Sequence, residues 1–389
     1  MATDMSKASI LPTGSSDTPH PAIVAALDAG GGWIGFDEFM ALALYAPGLG
    51  YYASGSRKFG LMPARNSGKP NGHAGAGEGG SDFATAPEMS AHFGRTLARQ
   101  VGEALAATGT REVWEFGAGT GALAQQLLET LGPHVERYTI VDLSGSLRER
   151  QAARLATYAE KVQWVSSLPD QFSGVVVGNE VLDAMPVKLL ARVQSAWQER
   201  GVVLHENALV FADRPTALRP PFEIEGSHDY LTEIHPQGEG FVRTLADRLQ
   251  RGAAFLIDYG FPEHEYYHRQ RSMGTVMCHR AHQVDADPLA DVGSKDITAH
   301  VNFTGIALAG QEAGLSVLGY TSQGRFLLNC GLIDGLHNAS FGERAMVQKL
   351  VNEHEMGELF KVIGFAARTA ADAGWVPIGF ASGDRSHTL

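Results

Sequence analysis

The sequence predicts an α/β protein built on a doubly wound, mostly parallel sheet. Between residues 113 and 177, short apolar stretches alternate with segments of helical periodicity. This alternation is typical of parallel strands joined by right-handed crossovers. A glycine-rich loop at residues 117–121 follows the first apolar stretch. Polar residues follow a later stretch, at the position where sheets of this kind bind their ligands.

Each element of this sheet is predicted from its local pattern. Stretches of Val, Ile and aromatic residues favour strands, whereas apolar residues repeated every three or four positions favour helices. The predicted strands are residues 113–116, 138–141, 162–165, 175–177 and 253–257. The predicted helices are residues 122–131, a segment through Leu147 and Leu155, and residues 241–249.

We expect an N-terminal helical segment, residues 21–108, to fold over the ligand as a lid. Two short helices are predicted at residues 22–29 and 37–45, because glycine and proline follow each of them. A turn and a long helix follow at residues 82–107. The apolar face of that helix is formed by Phe93, Leu97, Val101 and Leu105.

The remaining chain divides into two unstructured segments and a main domain. Residues 1–20 are predicted to be a disordered tail, and residues 60–81 a flexible loop, because both contain too few apolar residues for a core. Residues 109–389 are expected to form the main domain, which contains the parallel sheet, with a β-rich insertion at about residues 187–236. The short antiparallel strands predicted there are residues 189–193, 201–205 and 208–211.

The composition excludes several function classes. The net charge of −12 argues against nucleic-acid binding and against a polybasic membrane surface. No apolar run approaches the ~20 residues of a transmembrane helix, so we expect no membrane insertion. The two cysteines, Cys278 and Cys330, suit a reducing compartment. Because the N-terminus resembles neither a signal nor a transit peptide, we expect a cytoplasmic bacterial protein.

The glycine loop predicts a ligand but leaves its identity open. Gly117, Gly119 and Ala122 match the dinucleotide pattern G-x-G-x-x-G/A. Asp142 ends the second predicted strand, where either NAD or S-adenosylmethionine would have its ribose hydroxyls bound. A glycine turn without any ligand is the third interpretation.

Two further residues favour S-adenosylmethionine. Glu115 lies inside the first predicted strand, and a buried carboxylate is costly unless it is paired. S-adenosylmethionine would bring a positive ammonium and sulfonium to that side of the sheet. Gly121 keeps the turn open where a methionine moiety replaces a pyrophosphate. A dinucleotide-dependent oxidoreductase remains the alternative.

A second group of polar residues follows the strand at 175–177. Glu180 and Asp183 are three positions apart, so on a helical turn both carboxylates could face one cation. Polar residues at this end of a central strand lie at the ligand crevice of a doubly wound sheet. The alternative is that Asn179 caps the following turn and that both acids are solvated.

Residues 264–268 match the zinc-protease pattern HExxH. The pattern requires a helix with both histidines on one face, yet here it follows a predicted strand end and Gly260, without an apolar face. We interpret it as a chance match or a mobile loop, and predict no metal site.

At these residues and several others the sequence resembles the MidA family. Its members are methyltransferases related to the mitochondrial protein-arginine methyltransferase that helps assemble respiratory complex I. The matching motifs are residues 45–52, 82–90, 117–121, 142–144, 179–186, 257–260 and 296–303. The chain departs from the family in Asp142, where glutamate is usual, in Asn302, where aspartate is usual, and in the long loop at residues 60–81.

The resemblance implies a Rossmann-like class I methyltransferase fold with S-adenosyl-L-methionine as methyl donor and an arginine of a protein substrate as acceptor. The candidate catalytic residues are Glu180, Asp183 and Glu88, whose carboxylates would orient a guanidinium and take its proton. The candidate cofactor residues are Glu115, Gly117, Gly119, Gly121, Asp142, Leu143, Asn179, Thr85 and Pro87. His279 matches a family position that we place near the acceptor.

Two questions stay open at this point. A homodimer is expected only by analogy with the family. A scaffold that binds S-adenosylmethionine and assists assembly without turnover is a further alternative to an active enzyme, because the predicted insertions are large.

Overall fold

The structure is a computed structural model that describes residues 19–53, 85–142, 145–280, 283–367 and 374–389. The predicted flexible loop at residues 60–81, Leu143 and nearly all of the predicted tail lie outside these ranges. Within them, no helix is both long and apolar enough to cross a membrane.

The helices and strands alternate along much of the chain. The helices are α1 Pro21–Ala29, α2 Phe36–Tyr45, α3 Ala86–Met89, α4 Ala91–Thr108, α5 Ala122–Leu131, α6 Gly145–Arg154, α7 Pro236–Arg248, α8 Glu263–Tyr266, α9 Phe303–Glu312, α10 Gln323–Asn329, α11 Phe341–Val351 and α12 Met356–Leu359. The strands are β1 Ile34–Gly35, β2 Glu112–Phe116, β3 Arg137–Val141, β4 Val162–Val165, β5 Phe172–Asn179, β6 Lys188–Val193, β7 Ala196–His205, β8 Ala208–Pro215, β9 Tyr230–Ile234, β10 Leu249–Phe261, β11 Met277–Arg280, β12 Gln283–Asp285, β13 Asp296–Thr298, β14 Val301–Asn302, β15 Ser316–Ser322 and β16 Phe360–Ala366.

The central sheet has the strand order β15-β16-β10-β5-β2-β3-β4, with β14 paired to β10. The strands from β10 to β4 are parallel, and β16 runs antiparallel to both β10 and β15. This arrangement confirms the predicted α/β fold with a mostly parallel sheet.

The core lies on both faces of this sheet. Val175, Val176 and Val177 of β5 are at most 1% exposed, as expected of a central parallel strand covered on both sides. Helices α4 and α5 cover one face, with Leu97 and Leu127 in its core. The other face contacts α7 and α9. Strand β10 is longer than predicted at both ends, because Leu249 and Gly252 also pair with β5, and Tyr259 and Gly260 pair with β16 and β14.

Two smaller sheets flank the central one. Residues 188–234 contain the predicted antiparallel strands, and together with β1 of the N-terminal segment they form a sheet in the order β1-β7-β6-β9 with β8 beside β7. Helices α1 and α2 share a core with this sheet, in which Ile23 and Phe39 lie with Leu189 and Val202. The three-stranded sheet β12-β11-β13 contributes Cys278 and Ile297 to the same core. The predicted boundary at residue 108 stays a prediction.

Gln126 of α5 fixes the lid segment to the sheet domain. The side-chain oxygen of Gln126 accepts the backbone N–H of Gly94 at 3.0 Å, and its amide donates to the carbonyl of Pro87 at 2.8 Å. A Cβ at Gly94 would overlap the Gln126 side chain. The approach of α3 and α4 to α5 therefore depends on glycine at position 94.

The Gly94→Ala variant tests this contact. We expect it to lower the free energy of unfolding by about 1–3 kcal/mol, because the added methyl group displaces Gln126 and breaks both hydrogen bonds. Gly102→Ala in the same helix is the matched control, since its Cβ would meet only the end of the Leu131 side chain and alanine favours a helix by up to about 1 kcal/mol. Urea denaturation measures both variants, and equal stabilities would contradict the proposed contact.

Candidate functional site

A cavity of about 810 Å³ opens at the carboxyl ends of β2, β3 and β5. The predicted site residues that line it are Thr85, Pro87, Glu88, Glu115, Gly117, Gly119, Asp142, Asn179, Glu180 and Asp183. Residues from the lid segment and from the central sheet therefore meet at one site. Gly121 is not among the lining residues, and Leu143 lies outside the described residues.

The glycine loop between β2 and α5 depends on left-handed backbone conformations. Gly117, Gly119 and Gly121 have φ values of +62°, +53° and +82°, which side chains other than glycine rarely adopt. A Cβ at Gly119 would meet no atom within 4 Å, so backbone at this point faces open space. Gly121 is the N-cap residue of α5 and contributes to the shape of the turn rather than to the wall of the cavity.

Glu115 is a buried carboxyl group in need of a positive partner. It is 2% exposed and accepts a hydrogen bond from the hydroxyl of Tyr138 at 2.7 Å. Burial raises the pKa of Glu115 to about 8, and the nearby Asp142 adds to this, whereas the Tyr138 hydrogen bond lowers the pKa. No lysine or arginine of the described ranges acts on it. A ligand with a positive group would compensate this buried acid.

Asp142 is held against the glycine loop by Gln151, to which the sequence analysis gave no role. The side-chain amide of Gln151 donates to Asp142 at 2.8 Å and to the carbonyl of Gly119 at 3.0 Å. The indole of Trp164 donates to the Gln151 oxygen at 2.8 Å. Gln151 is fully buried, and a polar residue on the inner face of a helix is the signal that could have identified it.

The structure places Glu88 with the cofactor loop rather than with the other two candidate catalytic acids. Its carboxylate forms an ion pair with Arg154 at 2.9 Å and a hydrogen bond with the Thr120 hydroxyl. Arg154 also contacts Thr120. A carboxylate already paired with arginine is poorly suited to bind a second guanidinium. The catalytic role of Glu88 stays a prediction that this geometry does not favour.

Glu180 and Asp183 share the turn that follows β5. The amide of Asn179 donates to Glu180 at 2.9 Å, and Asp183 is 4% exposed, so the alternative of a capping Asn179 with solvated acids is wrong. Burial raises the pKa of Glu180 to about 8, with a further contribution from Asp183. Burial likewise raises the pKa of Asp183 to about 6, against the hydrogen bond from Tyr259.

Two buried oxygen atoms of this turn have no hydrogen-bond partner within the described ranges. They are Oδ1 of Asn179 and Oδ1 of Asp183. Buried acceptors without a donor are rare in folded proteins, and both residues line the cavity. A ligand that donates N–H groups would satisfy them.

Tyrosines of the lid segment form the wall facing this turn. The Tyr45 hydroxyl donates to the carbonyl of Ala184 at 2.8 Å, and the Tyr52 hydroxyl contacts the Asp296 carboxylate at 2.9 Å. The two rings stack with centroids 5.6 Å apart. Both tyrosines belong to the family motif at residues 45–52, for which the sequence alone predicts no role. His279 lines the same cavity, and its place near the acceptor stays a prediction.

The HExxH match lies away from this cavity, in and after the short helix α8. His264 and His268 are exposed, whereas Tyr266 and Tyr267 are each 1% exposed. The expectation that this segment has no apolar face was therefore wrong, because the two tyrosines anchor it. Among the described residues, no cluster of three or more His, Cys, Asp or Glu side chains could hold a metal ion.

The site fits a ligand with a cationic amino-acid end and a ribose. Glu115 would balance the positive charge, Asp142 offers a carboxylate for a pair of hydroxyl groups, and the backbone at Gly119 leaves room for close approach. S-adenosylmethionine has these groups.

The Glu115→Gln variant tests the charge requirement. The folded protein holds a proton on Glu115 up to about pH 8, whereas an ordinary glutamate loses it at about 4.5. The stability of the ligand-free protein should therefore fall as the pH rises through this window, and the variant should lose less stability. We also expect S-adenosylmethionine to bind the variant at least about tenfold more weakly.

Denaturation at several pH values and calorimetry measure the two effects. Glu136→Gln serves as the control, because this acid is 63% exposed and pairs with Arg111 on the surface. An unchanged pH dependence together with unchanged affinity in Glu115→Gln would contradict the role given to Glu115.

The chain matches known methyltransferases over most of its length. A family model described as "Putative S-adenosyl-L-methionine-dependent methyltransferase" matches residues 96–321, more than half of the chain. A protein of Burkholderia thailandensis, described as a "likely methyl transferase" and solved as a crystal structure bound to S-adenosyl-homocysteine, is 46% identical. That likeness covers 96% of this chain and 100% of the other, with a TM-score of 0.84.

Two curated relatives share lower identity. Protein arginine methyltransferase NDUFAF7 homolog, mitochondrial, of Caenorhabditis elegans is 25% identical over 76% of this chain and 72% of the relative. Protein arginine methyltransferase NDUFAF7, mitochondrial, of Danio rerio is 26% identical over 85% of this chain and 82% of the relative. The matches confirm the MidA-like resemblance and favour S-adenosylmethionine over a dinucleotide. The chain belongs to this family of S-adenosyl-L-methionine-dependent methyltransferases, with S-adenosylmethionine as its cofactor.

Proposed function

We propose that the protein transfers the methyl group of S-adenosylmethionine to an arginine side chain of a protein substrate. The observation that carries the proposal is the pair of acids Glu180 and Asp183, which line the cavity without a lysine or arginine partner in the described ranges. The names of the two curated relatives support the same acceptor, at 25% and 26% identity.

Residues of the central sheet would bind and orient the cofactor. When bound, S-adenosylmethionine supplies an electrophilic methyl group on a positive sulfur. Glu115 would face the cationic amino-acid end, and Asp142, fixed by Gln151, would accept hydrogen bonds from the ribose hydroxyls. The glycine loop would let the backbone approach the ligand closely.

Glu180 and Asp183 would bind the acceptor. A guanidinium is planar and presents N–H groups that match carboxylates. Its positive charge would lower the raised pKa values of both acids and favour their ionised forms. The unpartnered Oδ1 of Asp183 offers one acceptor for these N–H groups. Holding one guanidinium nitrogen in line with the methyl group is the main catalytic contribution expected of such a site.

Glu180 is the group best placed to take the proton that the reaction releases. As the new N–C bond forms and the S–C bond breaks, the attacking nitrogen loses one proton, and the methylated guanidinium keeps its single positive charge. A carboxylate whose pKa is raised accepts a proton near neutral pH more readily than an ordinary glutamate. Glu180 would then release the proton to solvent.

Tyr45 and Tyr52 would complete the acceptor site. Their stacked rings line the cavity beside the acidic turn, and an aromatic face attracts a guanidinium. Water excluded by these rings would strengthen the interaction between the acids and the cation.

The acceptor is tested by incubating the protein with tritiated S-adenosylmethionine and a cell lysate. We expect tritium in protein, and hydrolysis of that protein to yield labelled methylarginine. Label in methyllysine alone, or in small molecules alone, would contradict the proposed acceptor. A protein that binds S-adenosylmethionine but labels nothing would support the assembly-factor alternative instead.

The Glu180→Gln variant tests the acid that takes the proton. We expect kcat to fall by at least about 100-fold, because removal of a general base costs that much. Calorimetry should show binding of S-adenosylhomocysteine within about threefold of the wild type, since Glu180 is assigned to the acceptor. Glu129→Gln, an exposed acid of α5, is the control and should retain full activity. Normal transfer by Glu180→Gln would remove this residue from the mechanism.

A further inference from the structure

Asp258 of β10 is a buried carboxylate bound almost entirely by backbone N–H groups. It is 1% exposed. Its Oδ2 accepts hydrogen bonds from the N–H groups of Val181 at 3.0 Å, Leu182 at 2.8 Å and Asp183 at 3.2 Å. Its Oδ1 accepts the N–H of Tyr259 at 2.9 Å. All of the first three donors belong to the turn that bears the candidate catalytic acids.

Three successive N–H groups that point at one oxygen form the kind of cradle that binds anions in other proteins. Here the anion-binding position is filled by a side chain of the neighbouring strand. The register explains the contact, because Ile257 of β10 pairs with Asn179 of β5. Asp258 is the next residue of β10, so its side chain meets the chain just where β5 ends.

The turn needs such a contact because its backbone is unusual. The N–H of Glu180 still bonds to the carbonyl of Ile257 at 2.9 Å, but Glu180 has a φ of +54°. A glutamate rarely adopts this left-handed conformation, and it persists only where the surroundings hold it. The three donors to Asp258 directly follow this residue.

We propose that Asp258 is a positioning residue for methyl transfer, which holds the turn at residues 180–183 so that Glu180 and Asp183 both face the acceptor. This inference rests on the proposed roles of those two acids. Asp258 itself is not among the residues that line the cavity, so it acts through them. The carbonyl of Asp183 accepts the N–H of Ala299 at 3.0 Å and fixes the far end of the same turn.

The Asp258→Asn variant tests the proposal. An asparagine has one acceptor oxygen and would place an N–H₂ group against one of the backbone donors. We expect kcat per cofactor-binding site to fall by about 100-fold, as for a small displacement of reacting groups. The affinity for S-adenosylhomocysteine and the number of sites found by calorimetry should stay within about threefold, because the glycine loop is untouched.

A double-mutant cycle separates positioning from a general loss of structure. Because Asp258 is proposed to act through both Glu180 and Asp183, Asp258→Asn should slow the Glu180→Gln variant by clearly less than the about 100-fold expected in the wild type. The single-turnover assay of tritium transfer must be sensitive enough to detect the wild-type rate reduced by both single-variant factors multiplied together. Multiplied losses in the double variant would overturn the proposal, as would a kcat of Asp258→Asn equal to that of the wild type.

Glu233→Gln is the matched control, because Glu233 is another fully buried acid that accepts backbone N–H groups, from Thr275 at 2.7 Å and Val276 at 3.2 Å. It lies outside the cavity lining. We expect this variant to lose stability but to keep kcat per binding site. If Asp258→Asn does not fold, Asp258→Ser, which leaves room for a water molecule, replaces it in every assay.

The outcomes also distinguish this inference from the proposed function. A wild-type protein that transfers no methyl group to arginine contradicts the proposed function. A wild type that does so, with Asp258→Asn losing activity only in proportion to its lost binding sites, contradicts the positioning role alone.

Discussion

The burial of several carboxyl groups at one edge of the sheet is the constraint on which the site depends. Glu115, Glu180, Asp183 and Asp258 lie at or near the carboxyl ends of β2, β5 and β10, and burial raises the pKa of each of them. A buried carboxylate is costly unless it is paired. Because parallel strands end at the same edge, these groups converge. Positively charged ligands would pair with these acids and lower the cost of burying them.

The surrounding structure holds these acids in place without neutralising them. Tyr138 donates to Glu115, backbone N–H groups donate to Asp258, and Gln151 donates to Asp142. Each acid is thus oriented by a neutral donor and forms no ion pair with that donor. Gln126 donates a hydrogen bond to Pro87 of the N-terminal segment, which lines the same cavity. Rigid placement of this kind is what a displacement reaction requires, since its catalysis consists mainly of orientation.

Much of the fold and part of the site could be predicted from the sequence because their signals are local. A pattern of a few neighbouring residues is enough to identify each of these features. They are the valines of β5, the glycines at 117–121 and the acid at Glu115. Glu180 and Asp183 were found because they directly follow a predicted strand. The fold class followed from the same alternation of strands and helices.

The parts that could not be predicted depend on contacts between distant segments. Glu88 meets Arg154, 66 positions away, and nothing beside Glu88 in the sequence indicates that partner. Tyr52 reaches Asp296 across 244 positions. The HExxH match shows the opposite case, in which a local motif is present but the structure that it requires is not. The four-residue helix α8 is too short to bring both histidines to one face.

A crystal structure of the protein with S-adenosylhomocysteine and an arginine-containing peptide tests the central claim most directly. The account predicts the guanidinium within hydrogen-bond distance, about 3 Å, of both Glu180 and Asp183, with one nitrogen facing the sulfur atom. It also predicts the amino group of the cofactor product on the side of Glu115. An arginine side chain bound elsewhere, with Glu180 and Asp183 facing only water, would contradict it.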